Sequence, residues 1–365
     1  MTVYDKYHLK QVINASGKMT ILGVSKLAQP VIDAQKFGDE HFFEMADLVK
    51  KTGDHLAQLL GAEDAIVINS ASAGIAEAVA ALIGAGSKYH AYHPYDARYT
   101  KREIVIPKGQ NVDYGTPEEV MINVGGGQVV EAGYANMCSP EHLGMVITDK
   151  TVGVLYVKSH HAVQKSMLTV EEALTVAHHH ALPLILDAAA EEDMQKYIEM
   201  GVDIIIFSGA KALAGPASAL IFGKRQYIEW VRLQSLGLGR AMKIGKENIL
   251  GLTKAIEDYL AEGPESGDQM KARLAPFLTG LNEVPYVDAK QVQDGAGRDI
   301  YRASVVIKPD SPKNAKQVTA ELKAGNPAIY TREYRANVGI IEFDIRAVDA
   351  AEMTAITQRL HEILD

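Results

Sequence analysis

The 365-residue chain contains a single cysteine, Cys138. No disulfide can form within it, and a cysteine-built zinc or iron–sulfur centre is excluded. Long apolar runs are missing too: none approaches the ~18 residues that a membrane-spanning helix needs. The opening MTVYDKYHLKQVINAS does not have the charged-then-apolar form of a secretion signal, so the expected location is cytoplasmic. There is no basic excess. Lys and Arg number 37 against 46 Asp and Glu, a net charge of −9, which argues against a nucleic-acid partner. Neither G-x-x-x-x-G-K-[ST] nor G-x-G-x-x-G follows a suitable strand; Gly125, Gly126 and Gly127 are expected to form a turn. No repeat and no low-complexity tract occurs. The run His178, His179 and His180 reads as the last turn of a helix, where histidine suits the dipole, with metal binding as the other reading. What the chain has is apolar residues, 47% of the total. That excludes intrinsic disorder and allows a large core.

Hydrophobic patterning gives an organisation. Residues 44–222 alternate helical and strand-like segments. EMADLVKKTGDHLAQLLG, AGIAEAVAALIGAG and VEEALTVAHHH have helical character. Thr169 and Glu172 form a capping box at the start of the last of these. AIVIN, EIVIP, VMINV, VGVLYV, LPLILD, DIIIFSG and SALIFG read as short buried strands. Continuous apolar strands between helices predict an α/β domain on a mostly parallel sheet covered on both faces. After Gly223 come two long polar-faced helices, a Gly-, Pro- and Asp-rich stretch over 263–300 that reads as a boundary, and then a smaller α+β layer. The expected division is an N-terminal arm over 1–43, a large domain with its connecting helix over 44–262, and a small C-terminal domain over 263–365.

Three features stand at the ends of apolar strands, where open α/β sheets place their ligands. Ser70, Ala71, Ser72 and Ala73 open a helix, and backbone N–H groups there can hold an anion; an ordinary N-cap is the simpler alternative. Asp187 ends LPLILD and could serve a metal, a ribose hydroxyl or a protonated ring nitrogen, or cap the following turn. Lys211 lies in a small-residue loop between two apolar strands, three residues after Ser208. An amine in such surroundings suits Schiff-base chemistry. An anion loop, a strand-ending acid and then Ser-x-x-Lys is the order expected of a pyridoxal-phosphate enzyme: phosphate cradle, partner for the pyridine nitrogen, covalent lysine.

The segments VINASGKMTILG, EIVIPKGQNVDYG, VEAGYANM, YVKSHHAV, LILDAAAE, SGAKALAGPASALIFG, LGLGRAMKIGKE and YTREYR through EFDIR make the resemblance specific. In order and over nearly the whole chain, they resemble the bacterial selenocysteine synthase-like group of fold-type I pyridoxal-phosphate proteins, and within it the ammonia-lyases of amino-sugar acid phosphates. The resemblance implies an aspartate aminotransferase-like large domain and pyridoxal 5′-phosphate as cofactor. It implies Lys211 as the Schiff-base lysine, Asp187 as partner of the pyridine nitrogen, and His160 over the cofactor. It places Arg240 and Lys243 on a basic anion-binding pair, lysine replacing an arginine at the second position, and Arg332 on the substrate carboxylate. A homodimer or larger homo-oligomer is also implied. Val24 stands where the selenocysteine synthases have arginine, their Asn-rich phosphate loop is Ser-Ala-Ser-Ala here, and their transfer-RNA domain is not expected in these residues.

These departures and the negative charge turn the expectation towards a small metabolite. The implied reaction is α,β-elimination of water from a 2-amino-3-hydroxy sugar acid phosphate such as D-glucosaminate 6-phosphate, followed by deamination to 2-keto-3-deoxy-6-phosphogluconate. No metal, nucleic acid or membrane takes part. The alternatives are another pyridoxal-phosphate β-elimination or β-replacement enzyme, and a non-catalytic binding protein that keeps the fold.

Overall fold

The computed structural model of the chain describes residues 1–159, 161–294 and 298–365. Its strands are β1 (Val12–Ala15), β2 (Asp64–Ile68), β3 (Glu103–Pro107), β4 (Gln128–Ala132), β5 (Thr151–Val157) and β6 (Leu184–Asp187). They continue with β7 (Ile204–Ser208), β8 (Ala219–Gly223), β9 (Val287–Gln293), β10 (Tyr301–Ile307), β11 (Ala328–Thr331) and β12 (Ile340–Phe343). The chain divides into two compact units, residues 27–263 and residues 1–26 together with 264–365.

The larger unit is built on a seven-stranded sheet in the order β2-β8-β7-β6-β5-β3-β4. β3 to β7 pair in parallel, while β8 is antiparallel to both β7 and β2. The strands are apolar because both faces are covered. Val67, Val105, Tyr156, Leu186 and Ile205 face a cluster that includes Leu56 and Leu60 of the helix Met45–Leu60. Their alternates Ile66, Ile68, Ile104, Ile106 and Leu155 face Ile75, Val79 and Leu82 of the helix Ala71–Gly84. Every residue of that helix from Ala73 onward is buried, so its sequence is apolar on all sides apart from Glu77. A Cβ at Gly74 would come within 2.8 Å of Ile68 Cδ1, which is why this helix carries glycine where it meets the sheet.

The smaller unit has a three-stranded antiparallel sheet, β12-β10-β9, and a separate parallel pair, β1 with β11. Leu274 and Phe277 of the helix Gly267–Glu283 join Phe343, Ile356 and Leu360 in its core. Inside it lies a chain of charges. Arg302 Nη1 donates to Asp294 at 2.8 Å and its Nε to Asp344 at 2.9 Å. Arg346 adds two bonds to Asp344, at 2.9 and 2.8 Å.

Three expectations change. VMINV is the end of a helix, Glu118–Val124, and the neighbouring strand is β4 instead. Pro117 and two glutamates at the helix start outweigh the apolar run, because acidic residues suit the first turn. The stretch over 263–300 holds the helix Gly267–Glu283 and β9, entered through a Ser266–Gln269 capping box. The N-terminal arm is divided: β1 satisfies its backbone against β11, while the helix Gln29–Glu40 packs on the helix Lys246–Glu262. There a Cβ on Gly38 would meet Glu247 Cα at 2.8 Å, and Gln35 donates to Asn248 at 2.8 Å.

The capping box at Thr169 and Glu172 forms as read. At the other end of that helix, His178 Nε2 lies 2.9 Å from Asp203. Asp203 is only 2% exposed; it also accepts from the Leu184 N–H at 2.9 Å and pairs with Lys224 at 2.6 Å. Asp203→Ala strands the Leu184 N–H at the start of β6 and is expected to cost about 2–4 kcal/mol, read as a lower denaturant midpoint. A midpoint within error of the parent would remove this carboxylate from the account of stability.

Candidate functional site

The strand directions decide where the sequence features meet. β2 and β7 are each antiparallel to β8, and therefore run the same way as β6. The carboxyl ends of β2, β6 and β7 thus lie on one edge of the sheet. Ser70 follows β2, Asp187 ends β6, and Ser208 ends β7 just before Lys211. Within the larger unit the topology brings together three segments that are far apart in the chain.

At the first segment, the Ser70 hydroxyl accepts from the Ala73 N–H at 3.1 Å, so Ser70 is an N-cap. The Ser72 hydroxyl is 3.0 Å from that of Tyr114. At the second, Asp187 Oδ1 accepts from the Ala189 N–H at 3.0 Å, and its carbonyl accepts from Lys158 N at 2.8 Å. The turn-cap reading of Asp187 therefore holds, and its side chain is buried. At the third, Gly215 N donates to Gly209 O at 2.8 Å and Ala214 N to Lys211 O at 3.1 Å, closing the loop that carries Lys211. A Cβ at Gly209 would fall 2.2 Å from Ser218 Oγ, so the loop cannot carry a side chain there.

Burial pushes the Asp187 carboxyl up; the nearby Lys211 ammonium, the Ala189 N–H and a bond from Glu118 act against it. Glu118 is fully buried, and burial, with Asp187 beside it, pushes its carboxyl up to about 9. Burial also raises the Tyr114 hydroxyl, opposed by Ser72 and reinforced by Glu118 and Asp187. His161 is lowered by burial and by Lys211.

Glu118, Tyr114 and His161 are therefore part of this cluster, and the sequence reading missed all three. Glu118 and Glu119 are adjacent and chemically identical, yet one is buried and the other exposed; only the packing of the helix Glu118–Val124 separates them. His160 lies outside the described residues. Arg240 and Lys243 are in the same unit, both exposed, after the helix Arg225–Leu233. Arg332 belongs to the other unit, where its Nε lies 3.5 Å from Glu342 and its guanidinium sits over Tyr334. Gln110 is structural: its buried Oε1 accepts from Val157 N at 2.9 Å.

The donor set fits pyridoxal 5′-phosphate. A helix N-terminus with Ser72 and Ser208 supplies anion donors, Asp187 an acid for a ring nitrogen, and Lys211 an amine. Two buried oxygens of Glu118 at this edge have no donor among the described residues.

Comparison with known proteins agrees. A D-glucosaminate-6-phosphate ammonia lyase of Salmonella typhimurium is 42% identical over 364 residues, which cover 100% of this chain and 98% of that protein. A solved D-glucosaminate-6-phosphate ammonia-lyase structure superposes with a TM-score of 0.94 at 42% identity, over 100% of this chain and 98% of that one. A 5′-C-glycyluridine monooxygenase-decarboxylase of a Streptomyces species is 33% identical over 99% of this chain and 92% of its own length. Serine palmitoyltransferase with bound cofactor, at 13% identity and a TM-score of 0.58, shares the fold. The fold is thus that of fold-type I pyridoxal-phosphate enzymes. Among the described residues no helix is long and apolar enough to cross a membrane. Residues 44–294 match the family described as SelA, L-seryl-tRNA selenium transferase, and with these relatives along its whole length the chain belongs to that family.

Proposed function

We propose that the chain is a pyridoxal-phosphate-dependent ammonia-lyase that converts D-glucosaminate 6-phosphate to 2-keto-3-deoxy-6-phosphogluconate and ammonia. The observation that carries this reading is the likeness to an enzyme of that name along the entire chain, joined to an edge where Asp187 and Lys211 interact electrostatically. When bound, the cofactor supplies the electron sink that acidifies the Cα–H bond.

The chain's own residues do the rest. The N–H groups of Ala71 and Ser72, with the hydroxyls of Ser70, Ser72 and Ser208, bind the cofactor's phosphate, and Ala73, whose N–H the Ser70 hydroxyl accepts, fixes the helix start that carries them. Asp187 holds a proton at the ring nitrogen. Lys211 takes the proton from Cα and passes one to the leaving hydroxyl at C3. Water is lost first, and water then displaces ammonia, so the net change is loss of ammonia alone. Arg332 suits the substrate carboxylate, because its planar fork matches two oxygens. Arg240 and Lys243 supply cations for the distal phosphate, and His160 covers the ring. The chain works as a homodimer or larger homo-oligomer in the cytoplasm.

The test is a substrate panel on the purified protein loaded with pyridoxal 5′-phosphate. Ammonia and a 2-keto acid should appear in equal amounts from D-glucosaminate 6-phosphate, and D-glucosaminate without phosphate should react much more slowly. Turnover of a glycyl nucleoside with release of carbon dioxide, and none of the sugar acid, would overturn the proposal. In the same assay Asp187→Ala should lower turnover by ~10²–10³-fold while cofactor still binds; full activity would remove Asp187 from the mechanism.

A further inference from the structure

Glu118 is fully buried at the first turn of the helix Glu118–Val124, and neither carboxyl oxygen has a donor among the described residues. What it does have is a second carboxyl within hydrogen-bonding reach, that of Asp187. Two adjacent buried carboxyls cannot both be ionised without a large cost, so one proton must lie between them. Its owner follows from the other partners. Asp187 already accepts the Ala189 N–H and is close to the Lys211 ammonium, both of which favour its ionised form. Among the described residues Glu118 has no such N–H donor.

We infer that Glu118 is a positioning residue for Asp187, a neutral carboxylic acid whose O–H donates to the Asp187 carboxylate and sets its orientation and basicity. The inference rests on the cofactor site proposed above and deepens it. The groups around the pair are consistent: Lys211 is a cation that acts on both carboxyls, and Tyr114, held to Ser72, stays a neutral phenol beside them. A carboxylate that accepts this O–H is a weaker base than one facing water or apolar side chains. Glu118 therefore moderates how firmly Asp187 holds a proton on a ring nitrogen. Burial, the main cause, holds the Glu118 proton up to about 9, so the acid form persists through neutral pH.

The experiment is difference infrared spectroscopy of the cofactor-free protein, parent against Glu118→Gln, joined to titration with pyridoxal 5′-phosphate. At pH 7 the parent-minus-Glu118→Gln difference should contain the C=O stretch of a protonated carboxyl that moves in D₂O; the Glu77 carboxyl, which burial also pushes up, to about 8, is common to both proteins and cancels. Glu118→Gln keeps a neutral donor and should bind the cofactor within ~3-fold of the parent; Glu118→Leu, with no donor, should bind it ~10-fold more weakly. A parent that takes up the cofactor and leaves no such band in the difference overturns the acid–carboxylate pair. A parent that shows the band but takes up no cofactor overturns the site reading beneath it.

Discussion

Lys211→Ala is expected to lower turnover on the order of 10⁴-fold, the size of effect seen when a positioned proton-transfer group is removed. The variant should also lose the visible absorbance of a lysine-bound cofactor, and borohydride should no longer fix label on the peptide that carries residue 211. The loop is not expected to collapse. Its closing bonds, Gly215 N to Gly209 O and Gly209 N to Ser218 O, both at 2.8 Å, run through main chain. Lys211→Arg is the stricter test. It keeps the positive charge beside Asp187 but cannot give up a proton, because a guanidinium stays charged throughout the working pH range. If either variant kept near-parental turnover and the visible band, another group would be the base and the covalent anchor. Removing the ammonium has a further consequence at Asp187, where it opposes the effect of burial: the Asp187 carboxyl should move further up in Lys211→Ala.

The second large effect is on stability, in the smaller unit. Arg302 is 2% exposed and joins Asp294 to Asp344, which is itself completely buried. Arg302→Ala leaves two carboxylates short of a charge partner in a low-dielectric interior, and is expected to cost about 3–5 kcal/mol. The checking measurement is the chemical-denaturation midpoint. Arg302→Lys should recover only part of the loss, since one ammonium cannot replace Nε and Nη1 bonding to different carboxylates. The pH dependence has a definite sign. Burial pushes the Asp344 carboxyl up, but Arg346 and Arg302 more than offset this and hold it well below the usual carboxylate range. Asp294 behaves likewise, with Arg298 and Arg302 overcoming burial. A depressed native value means stability that is present above the unfolded value near 3.8 and is lost as pH falls through the native values. The gap between Arg302→Ala and the parent should therefore be full at neutral pH and shrink in strong acid. A gap that did not change with pH would mean that the arginine acts through packing alone.

The sequence by itself determined a good deal. Runs such as ALIF and IIIF, apolar at every position, suit strands covered on both faces and pointed to an α/β sheet. Local chemistry fixed the capping box at Thr169 and Glu172, because its two hydrogen bonds span only three residues. The order of Ser70–Ala73, Asp187, Ser208 and Lys211 suggested a cofactor, and likeness to known proteins carried the family. Tertiary structure decided the rest. That the three segments share an edge depends on β8 running against both β7 and β2, and pairing direction is not written in any short stretch. The burial of Glu118 beside an exposed Glu119 depends on which side of a seven-residue helix meets the sheet; two identical neighbours carry no signal for it. The division of the N-terminal arm between two units depends on residues hundreds of positions apart, and the Asp294–Arg302–Asp344 chain joins residues 8 and 42 positions apart on different strands and turns. Patterning reports which residues avoid water; which partner a buried charge meets is settled only when the chain has closed around it.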